Sequence, residues 1–204
     1  ASLLRLEAGR SSQPDTKAVL GNMQGRIRSM ALLHESLYRS GIFAQVDLAY
    51  YLNQLATQAF RYQINHGAQI RLQLELSPVQ VSMDQATPCG LLVNELISNC
   101  FKHGFPEGSQ GEIRVLLEPV QGAAKMRLCV SDTGVGLPAD FEDRRMQSLG
   151  LQLVSDLTRQ IGGTLTIGPG VLVTHSQGGG PGWQTATTCG RGPSRRSMVC
   201  TWSI

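Results

Sequence analysis

Three residues of the segment Asn94 to Gly104, namely Glu95, Asn99 and Lys102, are spaced to do chemistry together. On a helix, steps of four and seven residues bring them onto one face. Leu92 precedes Glu95 in that column, while Leu96 and Ile97 turn toward a core. A carboxylate, a carboxamide and an ammonium in one column suit a magnesium–triphosphate. The amide oxygen ligates a hard cation, the ammonium neutralises phosphate, and the carboxylate orients or deprotonates a nucleophile. A solvated helix face with incidental charges has the same spacing, so the segment alone does not decide.

A second segment, Asp132-Thr133-Gly134-Val135-Gly136, directly follows an apolar run ending near Val130. An acid at a strand end, before two glycines, points a carboxylate into a crevice beside backbone that allows close approach. That arrangement suits an exocyclic amine such as adenine N6. A tight turn with glycines at positive φ is the plainer alternative. The spacing is neither G-x-G-x-x-G nor G-x-x-x-x-G-K-[ST], so the Rossmann and P-loop fingerprints fail. A third segment, Ser148-Leu149-Gly150-Leu151, opens a helical pattern. Backbone N–H groups at a helix start attract phosphate, although such residues also make an ordinary cap.

The elements that must position these residues follow from periodicity. After Pro14-Asp15, Leu20 and Ile27 form one row and Met23, Met30 and Leu37 the next, a coiled-coil-like or bundle seam that ends at Ser40-Gly41. Leu3, Leu4 and Leu6 resemble the end of an earlier helix, so the start of the chain reads as an αα-hairpin. Asp47 caps a helix carrying Leu48, Leu52, Leu55 and Ala59. Alternation over 70–76 marks a strand, Val79 and Val81 a second short one, and Asp84 to His103 a helix with Pro88 in its first turn. A hairpin over 112–118 and 125–131 turns at Gln121-Gly122. A helix from Leu149 to Ile161, stopped by Gly162-Gly163, feeds a strand over 164–167. Helices and strands in this order predict an α+β sandwich with helices on one sheet face.

The 204 residues are 41% hydrophobic and 16% charged, enough apolar residues for a core and too many for wholesale disorder. No apolar run approaches the roughly 18 residues that span a bilayer. The formal +3 comes from Arg191, Arg195 and Arg196, so residues 1–167 carry 15 basic and 15 acidic side chains. This neutral body gives no basic face for nucleic acid. Five cysteines without C-x-x-C pairing read as buried thiols of a reducing cytoplasm.

In order and spacing, the three segments resemble the N, G1 and G2 boxes of the Bergerat-fold (GHKL) ATPases, which include gyrase-type topoisomerases, Hsp90 chaperones, MutL proteins and histidine kinases. Met30 to Tyr38 is similar to the second dimerisation helix of bacterial sensor histidine kinases. Val93 to Pro106 and Ser148 to Leu165 resemble the same group, close to the HWE-related kinases. The resemblance covers roughly residues 1–167. It implies a Bergerat-type ATPase sandwich over 43–170, a partial dimerisation and phosphotransfer hairpin over 1–42, and an atypical, irregular tail over 171–204.

The same resemblance implies the roles. Glu95 assists the attacking nucleophile, Asn99 coordinates Mg2+, and Lys102 and His103 lie near the phosphates. Asp132 reads adenine. Gly134, Gly136, Leu149, Gly150 and Leu151 line the nucleotide, with Thr164 on the adenine side. Residues 137–147 form a short ATP lid holding Phe141, Arg144 and Arg145, where an arginine meets the γ-phosphate or is simply solvated. The implied function is the ATP-binding catalytic part of a sensor histidine kinase. It passes the γ-phosphoryl of Mg-ATP to a histidine, for relay to an aspartate of a response-regulator receiver domain. Homodimerisation through the hairpin, and no nucleic-acid or membrane contact, complete the expectation. A noncatalytic phosphotransfer adaptor or another Bergerat-fold ATPase is the alternative.

The resemblance also sets out what is missing. His34 lies on the apolar seam, where a packed structural histidine is expected. The family's acceptor belongs to a His-Arg-type motif expected upstream of Ala1, without which autophosphorylation is not expected. His66 and His175 carry no acceptor signature. Val171 to Thr174 supplies part of the family's closing strand, and from His175 on the pattern is lost. His175, Cys189 and Cys200 fit no structural zinc spacing.

Overall fold

A computed structural model describes residues 45–63, 69–106, 109–141, 148–168 and 196–203, with single positions among 16–31 and at 143 and 145. His34, His66, Arg144, His175, Cys189 and most of the expected hairpin lie outside the described residues. From residue 45 on, the described residues form, in order, β1 (Val46–Asp47), α1 (Leu48–Gln63), β2 (Gln69–Leu76), β3 (Gln80–Val81), α2 (Met83–Gly104), β4 (Gln110–Pro119), β5 (Lys125–Asp132), α3 (Leu149–Gln160), β6 (Thr164–Gly168) and β7 (Arg196–Ser203).

The local signals act as their chemistry requires. Asp47 Oδ1 accepts the Tyr50 N–H at 3.0 Å and caps α1. The Ser82 N–H donates to Gln85 Oε1 at 3.4 Å, so α2 starts a residue earlier than its apolar pattern suggests. Pro88 is therefore in the second turn rather than the first. Ser148 Oγ accepts the Leu151 N–H at 3.4 Å at the start of α3. Gly162, at φ +66°, ends that helix in the left-handed region.

Five strands form one mixed sheet in the order β2-β4-β5-β7-β6, in which β2 runs parallel to β4 and the other neighbours are antiparallel. β1 and β3 form a separate two-stranded ladder. Ile113, Val115 and Leu117 of β4 and Met126, Leu128 and Val130 of β5 alternate onto one face, where all six are buried. α2 covers that face and is itself enclosed, with Leu92, Val93 and Ile97 at 0% exposure. This is the α+β sandwich expected.

Two expectations change. Residues 196–203, assigned from the sequence to an irregular tail, form β7, the strand between β5 and β6. Met198-Val199-Cys200-Thr201-Trp202 is a run of high β-propensity, and its pairing with all of Lys125–Asp132 outweighs the Gly- and Arg-rich stretch before it. Cys89 and Cys100 are buried free thiols as expected, whereas Cys129 is disulfide-bonded.

At the start of the chain, the described residues belong to a helical segment lying on the sandwich. The Tyr62 hydroxyl donates to Gln24 Oε1 at 3.0 Å. Gly25 abuts Asn94, whose Nδ2 would lie 2.9 Å from an added Cβ. Met23 and Ile27 of the expected seam are 48% and 45% exposed.

Candidate functional site

The enclosure of α2 selects which of its residues reach solvent. Glu95 is 3% exposed, Asn99 is half-buried and Lys102 is exposed, so the column climbs out of the core toward the C-terminal end. Gly150, in the first turn of α3, meets the lower part of that column. A Cβ on Gly150 would lie 3.6 Å from Glu95 Oε2, 3.9 Å from Asn99 Oδ1 and 4.0 Å from Ser148 Oγ. The start of one helix is thereby pressed onto a carboxylate and an amide oxygen of another. No side chain separates them.

A cavity of about 390 Å³ opens beside this contact, lined among others by Asn99, His103, Gly136, Phe141, Arg145 and Leu151. Phe141 is 9% exposed and packs into the core, which anchors the segment after the second glycine of the Asp132 loop. Arg145 enters the wall from the turn before α3, where its carbonyl accepts the Ser148 N–H at 3.3 Å. Ser148 and the backbone opening α3 complete that side.

Asp132 ends β5 on the core face and is 1% exposed. Its Oδ1 accepts the Gly134 N–H at 2.9 Å. The loop is tied down on both sides. The Thr133 N–H donates to the Glu112 carbonyl at 3.1 Å, the Glu112 N–H donates to Thr133 Oγ1 at 2.9 Å, and the Val135 N–H donates to the Gly104 carbonyl at 2.9 Å. The two glycines differ in purpose. Gly136 has φ +87°, whereas Gly134 is not at positive φ and is needed for space, since its Cβ would fall 2.1 Å from Gly104 O.

Of the expected residues, Asn99, His103, Gly136 and Leu151 line the cavity; Glu95 and Gly150 lie against each other beside Asn99, and Asp132 and Gly134 lie behind the lining in the loop that leads to Gly136. The structure does not gather three others. Lys102 is exposed and is absent from the residues lining the cavity. The Leu149 side chain is 74% exposed, because the first residue of α3 points away from the contact that Gly150 makes. Thr164 pairs with Thr201, and Thr201 pairs with Arg127, five residues along β5 from Asp132. At about 3.3 Å per residue, that is roughly 17 Å down the sheet. Through the register of β7, Ser197 and Gly168 are the β7 and β6 residues level with Ser131 beside Asp132. Arg145, Phe141 and Ser148 complete the wall from positions that carry no periodicity.

The donors suit the hard cation implied by the resemblance. Glu95 Oε2 and Asn99 Oδ1 each lie within 4 Å of where a Cβ on Gly150 would be, and Mg2+ needs only one or two protein oxygens, the rest coming from water and phosphate. Among the described residues no group of three His, Cys, Asp or Glu could hold a metal by itself. A site completed by phosphate fits; a self-sufficient metal centre does not. Among the described residues no helix is long and apolar enough to cross a membrane.

Comparison with known proteins agrees in each part of the chain. Residues 84–188 match the family model "Histidine kinase-, DNA gyrase B-, and HSP90-like ATPase", and residues 1–63 match a "Histidine kinase" model. The sensor histidine kinase PdtaS of Mycobacterium tuberculosis is 30% identical over 162 residues, covering 77% of this chain and 31% of that protein. Blue-light-activated histidine kinase 2 of Erythrobacter litoralis is 25% identical over 179 residues, covering 84% and 50%. The chain therefore spans about a third to a half of the curated relatives it matches. Among solved structures, the histidine kinase domain of the Erythrobacter litoralis EL346 blue-light activated kinase superposes with a TM-score of 0.70 at 20% identity, covering 98% of this chain and 84% of that one.

Proposed function

This chain belongs to the histidine kinase-, DNA gyrase B- and HSP90-like ATPases, and from that premise we propose that it is the ATP-binding catalytic part of a two-component sensor histidine kinase. It binds Mg-ATP in the cavity at the end of α2. Its γ-phosphoryl is transferred to a histidine on a dimerisation helix and then to an aspartate of a response-regulator receiver domain. The match of residues 1–63 to a histidine kinase model supports this over the other branches of the family, and supports dimerisation through the helical segment.

Phosphoryl transfer asks a protein mainly for positioning and charge neutralisation. Asn99 Oδ1 is the protein ligand to Mg2+, with Glu95 beside it to orient or deprotonate the nucleophile. Held there by Asn99 Oδ1, the cation would offset the charge of the phosphates. The N–H groups opening α3 face the phosphates, which Gly150 admits because it carries no side chain. Arg145 supplies a fixed positive charge from the lid, and His103 lines the same wall. Asp132 accepts a hydrogen bond from the adenine amine. Lys102, out in solvent, contributes long-range charge rather than a contact.

The observation that carries this reading is that Gly150 lies against both Glu95 Oε2 and Asn99 Oδ1, beside the cavity that Asn99 lines. Titration with ATP, with and without Mg2+, tests it. Wild type should bind ATP in a Mg2+-dependent way, and Asn99→Ala should abolish most of that dependence. A chain that binds no nucleotide would instead be a noncatalytic adaptor.

A further inference from the structure

We infer that Gly104 is a positioning residue for the base-reading carboxylate: the missing side chain at this one helical position fixes where Asp132 sits. The inference deepens the function proposed above and rests on it. A Cβ on Gly104 would lie 3.0 Å from Asp132 Oδ1, 3.3 Å from Cγ and 3.4 Å from Oδ2, so the whole carboxylate rests against the glycine. The Gly104 carbonyl meets the loop that follows. It accepts the Val135 N–H at 2.9 Å, and it abuts Gly134, whose own N–H donates to Asp132 Oδ1 at 2.9 Å. One residue thus offers its Cα to the carboxylate and its oxygen to the loop that holds the carboxylate.

Backbone conformation does not require this glycine. Gly122, Gly136 and Gly162 are the described glycines with positive φ, and Gly104 ends α2 without it. Alanine at 104 is therefore unstrained as backbone, and what it changes is space. Asp132 is 1% exposed and cannot swing into solvent. A methyl group requires the carboxylate to give by a few tenths of an ångström, and that shift is passed to the bond from Gly134. A hydrogen bond weakens steeply once its acceptor leaves line. The loss therefore falls on recognition of the base. Asn99, proposed to face the phosphates, lies more than one turn back along α2, and Gly150 lies on a different helix, α3.

Equilibrium titration of the full chain with ATP and with inosine triphosphate, both with Mg2+, reads this directly. The two ligands share their phosphates and differ at C6, where inosine carries a carbonyl in place of the amine. Wild type should prefer ATP roughly tenfold or more, the worth of a hydrogen bond to a charged acceptor. Gly104→Ala should reduce that preference to about threefold or less while leaving inosine triphosphate binding nearly unchanged. A purely structural role would weaken both ligands alike. In an Asp132→Ala background, Gly104→Ala should have no further effect, because the group it displaces is gone. If Gly104→Ala does not fold, Asp132→Ala should restore the fold. An unchanged ATP preference in Gly104→Ala, additive losses in the double variant, or failure of that rescue overturns the inference. Absence of an ATP preference in wild type overturns the reading of Asp132 itself. The two failures are distinguished by which protein lacks the preference.

Discussion

Gly150 of α3 and Glu95 of α2 touch without an intervening side chain: a Cβ on the glycine would stop 3.6 Å from Glu95 Oε2. That spacing is ordinary van der Waals contact, and Gly150 is not at positive φ. Alanine therefore fits the fold but occupies the ground over Glu95 and Asn99 that the proposed function gives to a phosphate.

Gly150→Ala should accordingly separate stability from binding. Alanine favours a helix over glycine by roughly 1 kcal/mol in a helix interior and by less in a first turn. The melting temperature should hold or rise slightly, while affinity for Mg-ATP falls about tenfold or more, the size of a lost charge-assisted contact. Calorimetry on the same protein sample checks both. Equal affinity in the two proteins would place the phosphates elsewhere.

The buried end of α1 gives a pure stability test. Tyr51 is 2% exposed, and its hydroxyl lies where a Cβ on Gly90 would come within 2.0 Å. Overpacking of this kind costs typically 1–3 kcal/mol. Gly90→Ala should lower the unfolding free energy by that amount, read by chemical denaturation, with nucleotide affinity per folded molecule unchanged. Tyr51→Phe in the same chain should recover part of it, since the ring carbons remain within 2.7 Å.

The same tyrosine sets an alkaline limit. Burial, and secondarily the neighbouring Cys89, raise its pKa well above the ordinary 10.0. The native state thus retains a proton that the unfolded chain loses near pH 10, so the unfolded state binds fewer protons above that pH and stability falls. Stability should be insensitive to this group below pH 10 and decline as pH rises beyond it. In Tyr51→Phe the decline above pH 10 should be shallower, as chemical denaturation at stepped pH would record.

What was legible in the sequence divides along physical lines. The placement of Glu95 and Asn99 on one helix face, and of Asp132 at a strand end, could be read because helical and strand periodicity fix which residues share a face. Gly104 carries no signal in the sequence, because its contact is with Asp132, a residue 28 positions away, which no local pattern carries. Leu149 and Lys102 share a segment with true wall residues, but helix rotation turns them outward. Thr164 was misplaced because the register between β6 and β5 passes through β7, a strand hidden behind low-complexity sequence.

That strand carries the last expectation. From composition alone, removing everything beyond about residue 175 should leave nucleotide binding intact. In the fold, β7 pairs with β5 from Lys125 to Asp132 on one side and with β6 from Thr164 to Gly168 on the other. Deleting 196–203 would strip both partners of their ladder, leaving β6 without a neighbour and a bare edge along the strand that ends in Asp132. A chain ending at residue 195 should therefore aggregate or melt well below the full chain and lose ATP binding. Arg196 is the residue paired with Asp132, so the loss should begin at the base-reading end. A chain cut at 195 that does not aggregate and binds ATP as the full chain does would exclude β7 from the functional sheet.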